Sequence, residues 1–404
     1  MSERMETGCC IAGGGPAGMM LGYLLARQGI DVTVLEKHGD FLRDFRGDTV
    51  HPSTMQVLDE LGLLEAFLKR PHQKTERVAL HLNDRAYEIA DFTHLPVAAR
   101  FIAFVPQWEF LDFLADEARK LPNFRLMMST RADELLVDEG RVCGIWARTD
   151  DTTFEIHSPL TVACDGRDST LVPAAGFEIE EKGAPIDVLW FRLPREDRHG
   201  EGESLGYMKA GGFLVTLNRG DYWQCALVVR KGADALVRGE GLEAFRARIA
   251  HLAPHLGDEA EAIERMEDIK TLNVQVSRLE CWWREGLLAI GDAAHAMSPV
   301  GGVGINLALQ DAVAAARILA KDLKAGSVRH ETLEAVQKRR EWPAKITQAA
   351  QVFAHDRFVI PALEAEGELP VPWPVKLLNA APLLRRLPAR AIGLGPRPEH
   401  WRGG

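Results

Sequence analysis

The chain lacks the sequence features of a secreted or membrane-inserted protein. Residues 1–6 are mostly polar, and glycines break the first apolar run after Ala12, so we expect neither a signal peptide nor a membrane-spanning segment. The six cysteines show neither C-x-x-C spacing nor a secreted disulfide framework, which predicts buried thiols, a reducing compartment and a cytoplasmic protein. No metal site is expected. The cysteines are Cys9, Cys10, Cys143, Cys164, Cys225 and Cys281.

The chain also lacks an excess of positive charge, internal repeats and low-complexity linkers. Its 404 residues carry a net charge of −10, and no basic patch large enough to neutralise many phosphates is visible in the main body. We therefore expect no nucleic-acid partner. With 46% hydrophobic and 26% charged residues, the composition is that of a soluble globular protein long enough for two or three domains.

Residues 8–36 predict a βαβ unit around which the rest of the chain is organised. A short apolar run ending at Ala12 indicates a buried strand, and residues 19–28 indicate a helix closed by Gly29. The apolar run over residues 30–36 indicates a second strand. This order of elements predicts an α/β domain with a parallel sheet.

The turn of this unit carries Gly13, Gly15 and Gly18, which fit the pattern G-x-G-x-x-G. Gly13 suits a tight turn, Gly15 lets the backbone approach a pyrophosphate, and Gly18 lets the helix pack close to the strand. Glu36 ends the second strand, where its carboxylate is placed to accept hydrogen bonds from the ribose hydroxyls of an adenosine. The unit therefore predicts a dinucleotide-binding site.

Two later groups of residues also follow predicted strands. The strand over residues 160–164 leads into Asp165 and Gly166, and the strand over 286–290 leads to Asp292. A glycine-rich loop and a long helix follow, and free amides at the start of that helix can stabilise negative charge on a ring packed against them. Asp292 is expected to face a sugar or polyol hydroxyl.

The pattern of strands and helices divides the chain into two domains and a tail. Short strand-like runs separated by glycine-rich turns predict a β-rich domain that lays one face over a ligand. The boundaries are 1–75, 106–182 and 277–330 for the first domain, 76–105 and 183–276 for the β-rich domain, and 331–404 for a C-terminal helical segment.

The last part of the chain is basic and amphipathic. Contact with an anionic membrane and packing against the acidic body of the chain are both open, and the second is favoured. We expect no stable membrane insertion and either a monomer or a homodimer. The basic residues are Lys376, Arg385, Arg386, Arg390, Arg397 and Arg402.

Three motifs in order resemble those of the class A flavoprotein monooxygenases, the group of para-hydroxybenzoate hydroxylase. They are G-x-G-x-x-G at 13–18, C-D-G at 164–166 and G-D-A-A-H-x-x-x-P at 291–299. The resemblance covers roughly residues 8–345. It implies an α/β fold, with a Rossmann-type FAD-binding domain, a β-rich substrate domain and a C-terminal helical segment.

The resemblance also implies a set of FAD-binding residues. The ADP half would lie on the first turn and at Glu36, the ribityl chain at Asp292, and the isoalloxazine ring beside the loop over 301–306, which we call the ring-side loop. The full set is Gly13, Gly15, Ala17, Gly18, Glu36, Lys37, Arg46, Gln107, Asp165, Gly166, Asp292, Pro299, Gly301, Gly302, Val303, Gly304, Ile305 and Asn306.

In the mechanism that the resemblance implies, NADH or NADPH reduces FAD, and O2 adds to give a C4a-hydroperoxyflavin that hydroxylates an aromatic or polycyclic small molecule. A phenolic substrate also needs a base or proton relay. The candidates are His51, Tyr207, Tyr222 and His295, although His295 belongs to the third motif and is also expected to be structural there.

One position departs from the family pattern. Val172 stands where D-G-x-x-S-x-V-R has arginine, which weakens the case for direct handling of NADPH, and Arg167 is a partial substitute. The alternatives are an FAD-dependent reductase of the same fold that does not use O2, a halogenase and a prenyl-protein chaperone. The G-W-x-W-x-I-P stretch expected of a halogenase is absent, and the intact glycine loop at 301–304 disfavours the chaperone.

Overall fold

The computed structural model describes residues 4–42, 49–196 and 205–401. At its centre is a six-stranded sheet with five parallel strands and one antiparallel strand, Trp283–Arg284, at its edge. The strand order is Trp283–Arg284, Leu287–Ala289, Thr161–Ala163, Cys9–Ala12, Val32–Leu35 and Phe124–Met127.

Three neighbouring strands of this sheet end at the same edge. They end at Ala12, Ala163 and Ala289, and one of the three motifs begins within two residues of each of these ends. Parallel strands present their carboxyl ends together, and ligands of open α/β sheets bind there. The topology therefore brings the three motifs to one crevice.

Helices pack against this sheet and against one another. Pro16–Arg27 contacts both Gln107–Ala118 and Gly304–Lys324. It begins at Pro16, which needs no amide hydrogen bond at the first helical position. The segment Val300–Lys324 is long and apolar enough to cross a membrane, but 72% of its most apolar window is buried inside the protein. Here it serves as a core helix.

A seven-stranded sheet forms the β-rich part of the protein. One apolar face packs against Asp234–Glu240 and Leu242–Leu252, and the other packs against Val300 and the segment around Val359. Side chains alternate between these faces along each strand. The strand order is Lys270–Leu272, Ile186–Pro194, Tyr222–Arg230, Gly212–Asn218, Leu205–Lys209, Arg77–Leu82 and Arg85–Asp91.

Three smaller sheets and several short helices complete these two parts. Ile102–Phe104, which we expected with the β-rich strands, pairs instead with Thr49–Val50 and Gln73–Thr75. The second small sheet has four strands in the order Arg4–Glu6, Thr153–His157, Arg141–Arg148 and Arg131–Asp138. The third has three strands in the order Ile179–Glu181, Ser277–Leu279 and His295–Ala296. The short α-helices are Pro52–Glu60, Leu64–Phe67, Leu171–Ala174 and Gly257–Ala260.

The C-terminal segment is helical and folds back onto the body. Arg385 pairs with Glu88 of the seven-stranded sheet, and Trp401 is buried. The helices are His330–Ala354, Ile360–Glu364, Trp373–Ala380 and Arg386–Gly393, with a π-helical turn at His355–Val359. The predicted fold class is confirmed: a Rossmann-type sheet, a β-rich sheet and a C-terminal helical segment.

Candidate functional site

The first motif combines two crowded glycines with one that borders open space. Gly13 has φ of +109°, and a Cβ there would lie 2.4 Å from the carbonyl oxygen of Cys164. A Cβ on Gly18 would lie 2.0 Å from the carbonyl oxygen of Gly13, whereas one on Gly15 would meet no protein atom within 4 Å. The packing of the protein itself therefore requires Gly13 and Gly18, and Gly15 leaves a surface that a pyrophosphate can approach.

The carboxylate of Glu36 lies against this turn. Its Oε2 accepts a hydrogen bond of 3.1 Å from the amide of Gly14, and its Oε1 lies 2.6 Å from Nδ1 of His38. The side chain is 12% exposed, so the carboxylate is held at the rim of the turn within reach of a ribose. Lys37, which follows it, is exposed.

The second motif turns at Asp165 and Gly166. Oδ2 of Asp165 accepts a hydrogen bond of 2.9 Å from the amide of Thr170, while Oδ1 is buried without a hydrogen-bond partner among the described residues. Burial raises the pKa of this carboxyl. Nη2 of Arg167 lies 3.8 Å from Oδ2 of Asp292 and links the second motif to the third. The buried Oδ1 suits a donor that a ligand supplies.

A buried charge network holds the loop that carries Asp292. Oδ2 of Asp311 lies 2.5 Å from Nε2 of His295 and accepts a hydrogen bond of 3.2 Å from the amide of Gly291. Nε of Arg340 donates to Oδ1 of Asp311 at 2.9 Å. Burial opposes the ionisation of Asp311, but His295 and Arg340 together outweigh it and hold its pKa below the ordinary value.

His295 has the geometry of a structural residue. Its side chain is 1% exposed, and its ring packs on Trp282 with 5.0 Å between the centroids. Ala17 of the first helix packs against the start of the same loop, since a Cβ on Gly291 would be only 3.1 Å from the Cβ of Ala17. The imidazole is enclosed by protein rather than facing a substrate, so the expectation of a structural role fits its position.

One side chain ties the ring-side loop to an earlier part of the chain. Oδ1 of Asn306 accepts hydrogen bonds of 2.8 Å from the amide of His51 and the hydroxyl of Thr54. Its Nδ2 donates to the carbonyl oxygens of Thr49 at 3.1 Å and Gly302 at 3.3 Å. These bonds occupy both ends of the side-chain amide. The side chain of Asn306 is therefore used within the protein, and only its backbone amide is available to hydrogen-bond a cofactor.

The ring-side loop ends in a helix N-terminus. The first hydrogen bond of the helix runs from the amide of Leu307 to the carbonyl of Val303, so the amides of residues 304–306 have no partner within the helix. Gly301 and Gly302 have φ of +82° and +62°. This backbone offers donors and partial positive charge to a ring packed against it.

His51 is wholly buried, and its surroundings set its tautomer. Nδ1 lies 2.8 Å from the carbonyl oxygen of Ile392, which only accepts, so Nδ1 carries the proton. Nε2 is buried without a hydrogen-bond partner among the described residues. Burial lowers the pKa of His51 to about 4, although the Ile392 carbonyl opposes the shift. His51 is therefore a neutral hydrogen-bond acceptor beside the ring-side loop.

We call the face of the seven-stranded sheet that packs against Val300 the inner face and the opposite one the outer face. Tyr207 lies on the outer face. It packs with His81 and His255, with ring centroids 5.0 and 5.2 Å away, in the cluster beneath Leu242–Leu252. Burial raises its pKa to about 12. Tyr207, one of the candidate bases, is therefore packed under this helix, because the pleat directs its side chain to the outer face. By the same alternation, the side chain of Tyr222 lies on the inner face, on the same side of its strand as Ala226 and Val228.

The other predicted residues are distributed around the crevice or lie outside the description. Gln107 begins the helix Gln107–Ala118, and Pro299 precedes the ring-side loop. Arg46 falls outside the described residues. Val172 is 3% exposed and belongs to the main hydrophobic core.

Three further residues of the site are not identified by any motif in the sequence: Asp311, Arg340 and Glu399. Asp311 had one detectable signal, a carboxylate inside an alanine- and leucine-rich helix, since such a charge is buried only when it is paired. Arg340 and Glu399 gave no signal from spacing.

The residues present fit FAD. The turn at Gly15 is open to a pyrophosphate, and Glu36 lies beside that turn, where it can accept hydrogen bonds from a ribose. The buried Oδ1 of Asp165 can accept a hydrogen bond from a ligand. The amides at 304–306 offer hydrogen bonds to the ring. Each feature lies at the same edge of the parallel sheet.

Comparison with known proteins agrees with this site. A family described as FAD binding domain matches residues 6–350. The chain is 31% identical over 344 residues to 6-methylpretetramide 4-monooxygenase of Streptomyces rimosus, covering 84% of this chain and 81% of that protein. It is 26% identical over 338 residues to para-nitrophenol 4-monooxygenase of Pseudomonas sp. strain WBC-3, covering 80% of each.

A solved structure shows the same fold. The p-nitrophenol 4-monooxygenase PnpA of Pseudomonas putida DLL-E4 matches with a TM-score of 0.79 and 19% identity, covering 98% of this chain and 100% of that one. The resemblance inferred from the three motifs is confirmed. The chain therefore belongs to the class A flavoprotein monooxygenases, within the FAD-binding-domain family.

Proposed function

We propose that the protein is an FAD-dependent monooxygenase that uses NADH or NADPH and O2 to hydroxylate an aromatic or polycyclic small molecule. The observation that carries this proposal is the position of Val300, which precedes the ring-side loop and packs into the apolar inner face of the seven-stranded sheet. A flat apolar substrate held on that face would lie against the flavin ring.

The inner face has the chemistry that such a substrate requires. Trp190, Ala226 and Val228 form its buried part, and Phe213 and Val215 pack against them. Apolar and aromatic walls suit an aromatic ring and keep water from the reacting atoms. The names of two relatives, which state 6-methylpretetramide and para-nitrophenol as their substrates, support this class.

Bound FAD supplies the redox chemistry, taking electrons from the nicotinamide cofactor and activating O2. One O2, one NAD(P)H and one proton would be consumed for each hydroxylated product and each water. The chain binds the cofactor at the glycine turn, holds the Asp292 loop through Asp311, and offers amides to the ring at 304–306.

We further propose that His51 accepts a hydrogen bond from a substrate hydroxyl or an intervening water. Its Nε2 is buried without a hydrogen-bond partner among the described residues, and the backbone amide of the same residue binds the Asn306 side chain of the ring-side loop. Because burial disfavours the imidazolium, His51 would orient the hydroxyl without keeping its proton. The proton would then leave through another group.

The test is rapid anaerobic mixing of the flavin-loaded protein with NADH and with NADPH, following the loss of oxidised flavin absorbance. We expect at least one nucleotide to bleach the flavin, and a phenol or polycyclic phenol to accelerate bleaching. Admission of O2 should then give one hydroxylated product per nucleotide oxidised.

Two outcomes would count against the proposal. Bleaching followed by saturation of a substrate double bond without O2 uptake would establish the reductase alternative. Failure of both nucleotides to reduce the flavin would agree with the buried Val172 and point to another electron donor. Cytoplasmic location and a monomeric or homodimeric state belong to the same proposal and are checked by fractionation and light scattering.

A further inference from the structure

The end of the chain reaches into the protein core at Glu399. This residue lies beyond the segment 6–350 that the family matches, yet its side chain is 1% exposed. A carboxylate this deeply buried has to be paired. Its partners therefore indicate what the C-terminal segment does.

Glu399 is paired with three arginines from two helices. Oε1 accepts hydrogen bonds from Nε of Arg339 at 2.6 Å and from Nη1 of Arg340 at 3.3 Å. Oε2 accepts from Nη2 of Arg339 at 3.1 Å and Nη1 of Arg317 at 3.3 Å. Arg317 and Arg339 are partly exposed, but Arg340 is 1% exposed and depends on its protein partners.

Arg340 bridges Glu399 to the loop that carries Asp292. Its Nη1 faces Glu399, and its Nε donates to Oδ1 of Asp311. The other oxygen of Asp311 holds the amide of Gly291 and the ring of His295, the two ends of the loop that carries Asp292. An unbroken series of buried contacts thus connects the C-terminal segment with that loop.

We propose that Glu399 is a positioning residue for FAD, acting through Arg340 and Asp311 on the loop between Gly291 and His295. With the carboxylate in place, Arg340 is held in the geometry that orients Asp311. Without it, a buried guanidinium has lost its second anionic partner and the hydrogen bonds to the loop shift. The cofactor contacts of Asp292 depend on that loop.

The same segment offers a matched control at a second anchor. Glu60 lies 2.6 Å from Nδ1 of His400 and accepts a hydrogen bond of 2.6 Å from the amide of Trp401. Glu60→Gln should loosen the end of the chain without touching Arg340 or Asp311. If Glu399 only anchored the segment, the two variants would behave alike.

The experiment compares wild type, Glu399→Gln and Glu60→Gln as flavin-loaded proteins. The Kd for FAD is measured from the flavin fluorescence that recovers as each holoprotein is diluted, and thermal unfolding is followed alongside. We expect Glu399→Gln to raise the Kd by about tenfold, equivalent to about 1.4 kcal/mol. Glu60→Gln should stay within about twofold of wild type.

A further variant covers the case in which Glu399→Gln does not fold. Arg340→Lys keeps the charge, but a single ammonium is expected to serve one carboxylate rather than both. It should raise the Kd for FAD in the same way. A wild-type Kd in either variant, or an equal rise in Glu60→Gln, would overturn the proposal. Since the readout is FAD binding, its outcome is independent of the substrate and electron donor.

Discussion

At the scale of single residues, Gly15 and Gly18 are required for different reasons, Gly15 for the approach of the cofactor and Gly18 for the packing of the protein itself. Gly15 has an ordinary φ of −74°, and a Cβ there would point into open space. Gly15→Ala should therefore leave the melting temperature of the FAD-free protein within about 2 °C of wild type while weakening FAD binding about tenfold or more. Differential scanning calorimetry and FAD titration measure the two effects.

Gly18→Ala is the comparison variant. Its Cβ would collide with the carbonyl oxygen of Gly13, so we expect the FAD-free protein itself to be destabilised. A Gly15→Ala protein that binds FAD as tightly as wild type would show that the pyrophosphate lies elsewhere.

His51 predicts a pH dependence of stability. Its pKa is about 4 in the folded protein and about 6.5 when unfolded, so the unfolded state binds more protons between these values. The contribution is complete above about pH 6.5 and is lost as the pH falls toward 4. Between pH 7 and pH 5 wild type should lose about 2 kcal/mol more stability than His51→Asn.

Urea unfolding at the two pH values measures this difference. The variant is compared with itself at each pH, so loss of the Ile392 hydrogen bond cancels from the result. Equal pH dependence in both proteins would mean that His51 is not the titrating group.

At the scale of elements, the two faces of the seven-stranded sheet have separate roles. Tyr207 packs on the outer face and Trp190 on the inner face with Val300. Tyr207→Phe should keep kcat and KM within about twofold of wild type, whereas Trp190→Phe should raise the KM of the aromatic substrate several-fold by altering the wall it packs on.

Steady-state kinetics on the pair tests this assignment of faces. Both changes keep an aromatic ring, so gross loss of packing is limited in each. A larger kinetic effect from Tyr207→Phe than from Trp190→Phe would place the substrate on the outer face.

At the scale of the whole molecule, the apolar inner face joins the β-rich part to the FAD-binding part. The cluster contains Trp190, with Val300, the residue before the ring-side loop, and Val359 from the C-terminal segment. FAD at about 100 times its Kd should add about 2.7 kcal/mol to the free energy of unfolding. We expect the tryptophan and flavin signals to share one transition, which a separate FAD-independent melt of the sheet would contradict.

Local sequence was sufficient for the βαβ unit, the order of the three motifs and the FAD assignment. Gly13 adopts a positive φ, and Glu36 lies beside the turn. Both features could be predicted because each depends on a few residues of a single βαβ unit. The C-terminal segment also packs on the body, as favoured from its charge. The face on which Tyr207 lies was not predictable, since it depends on which helices cover the sheet.

The amino-acid sequence by itself determined the family, the cofactor turn and the edge at which the ligand binds, since adjacent residues specify glycine conformations and strand ends. Only the tertiary structure decided that His51 is a neutral acceptor, that Asn306 is used inside the protein, and that Glu399 reaches Asp311 through Arg340. These assignments join residues far apart in the chain. Their geometry follows from the packing of helices and sheets, which no local pattern records.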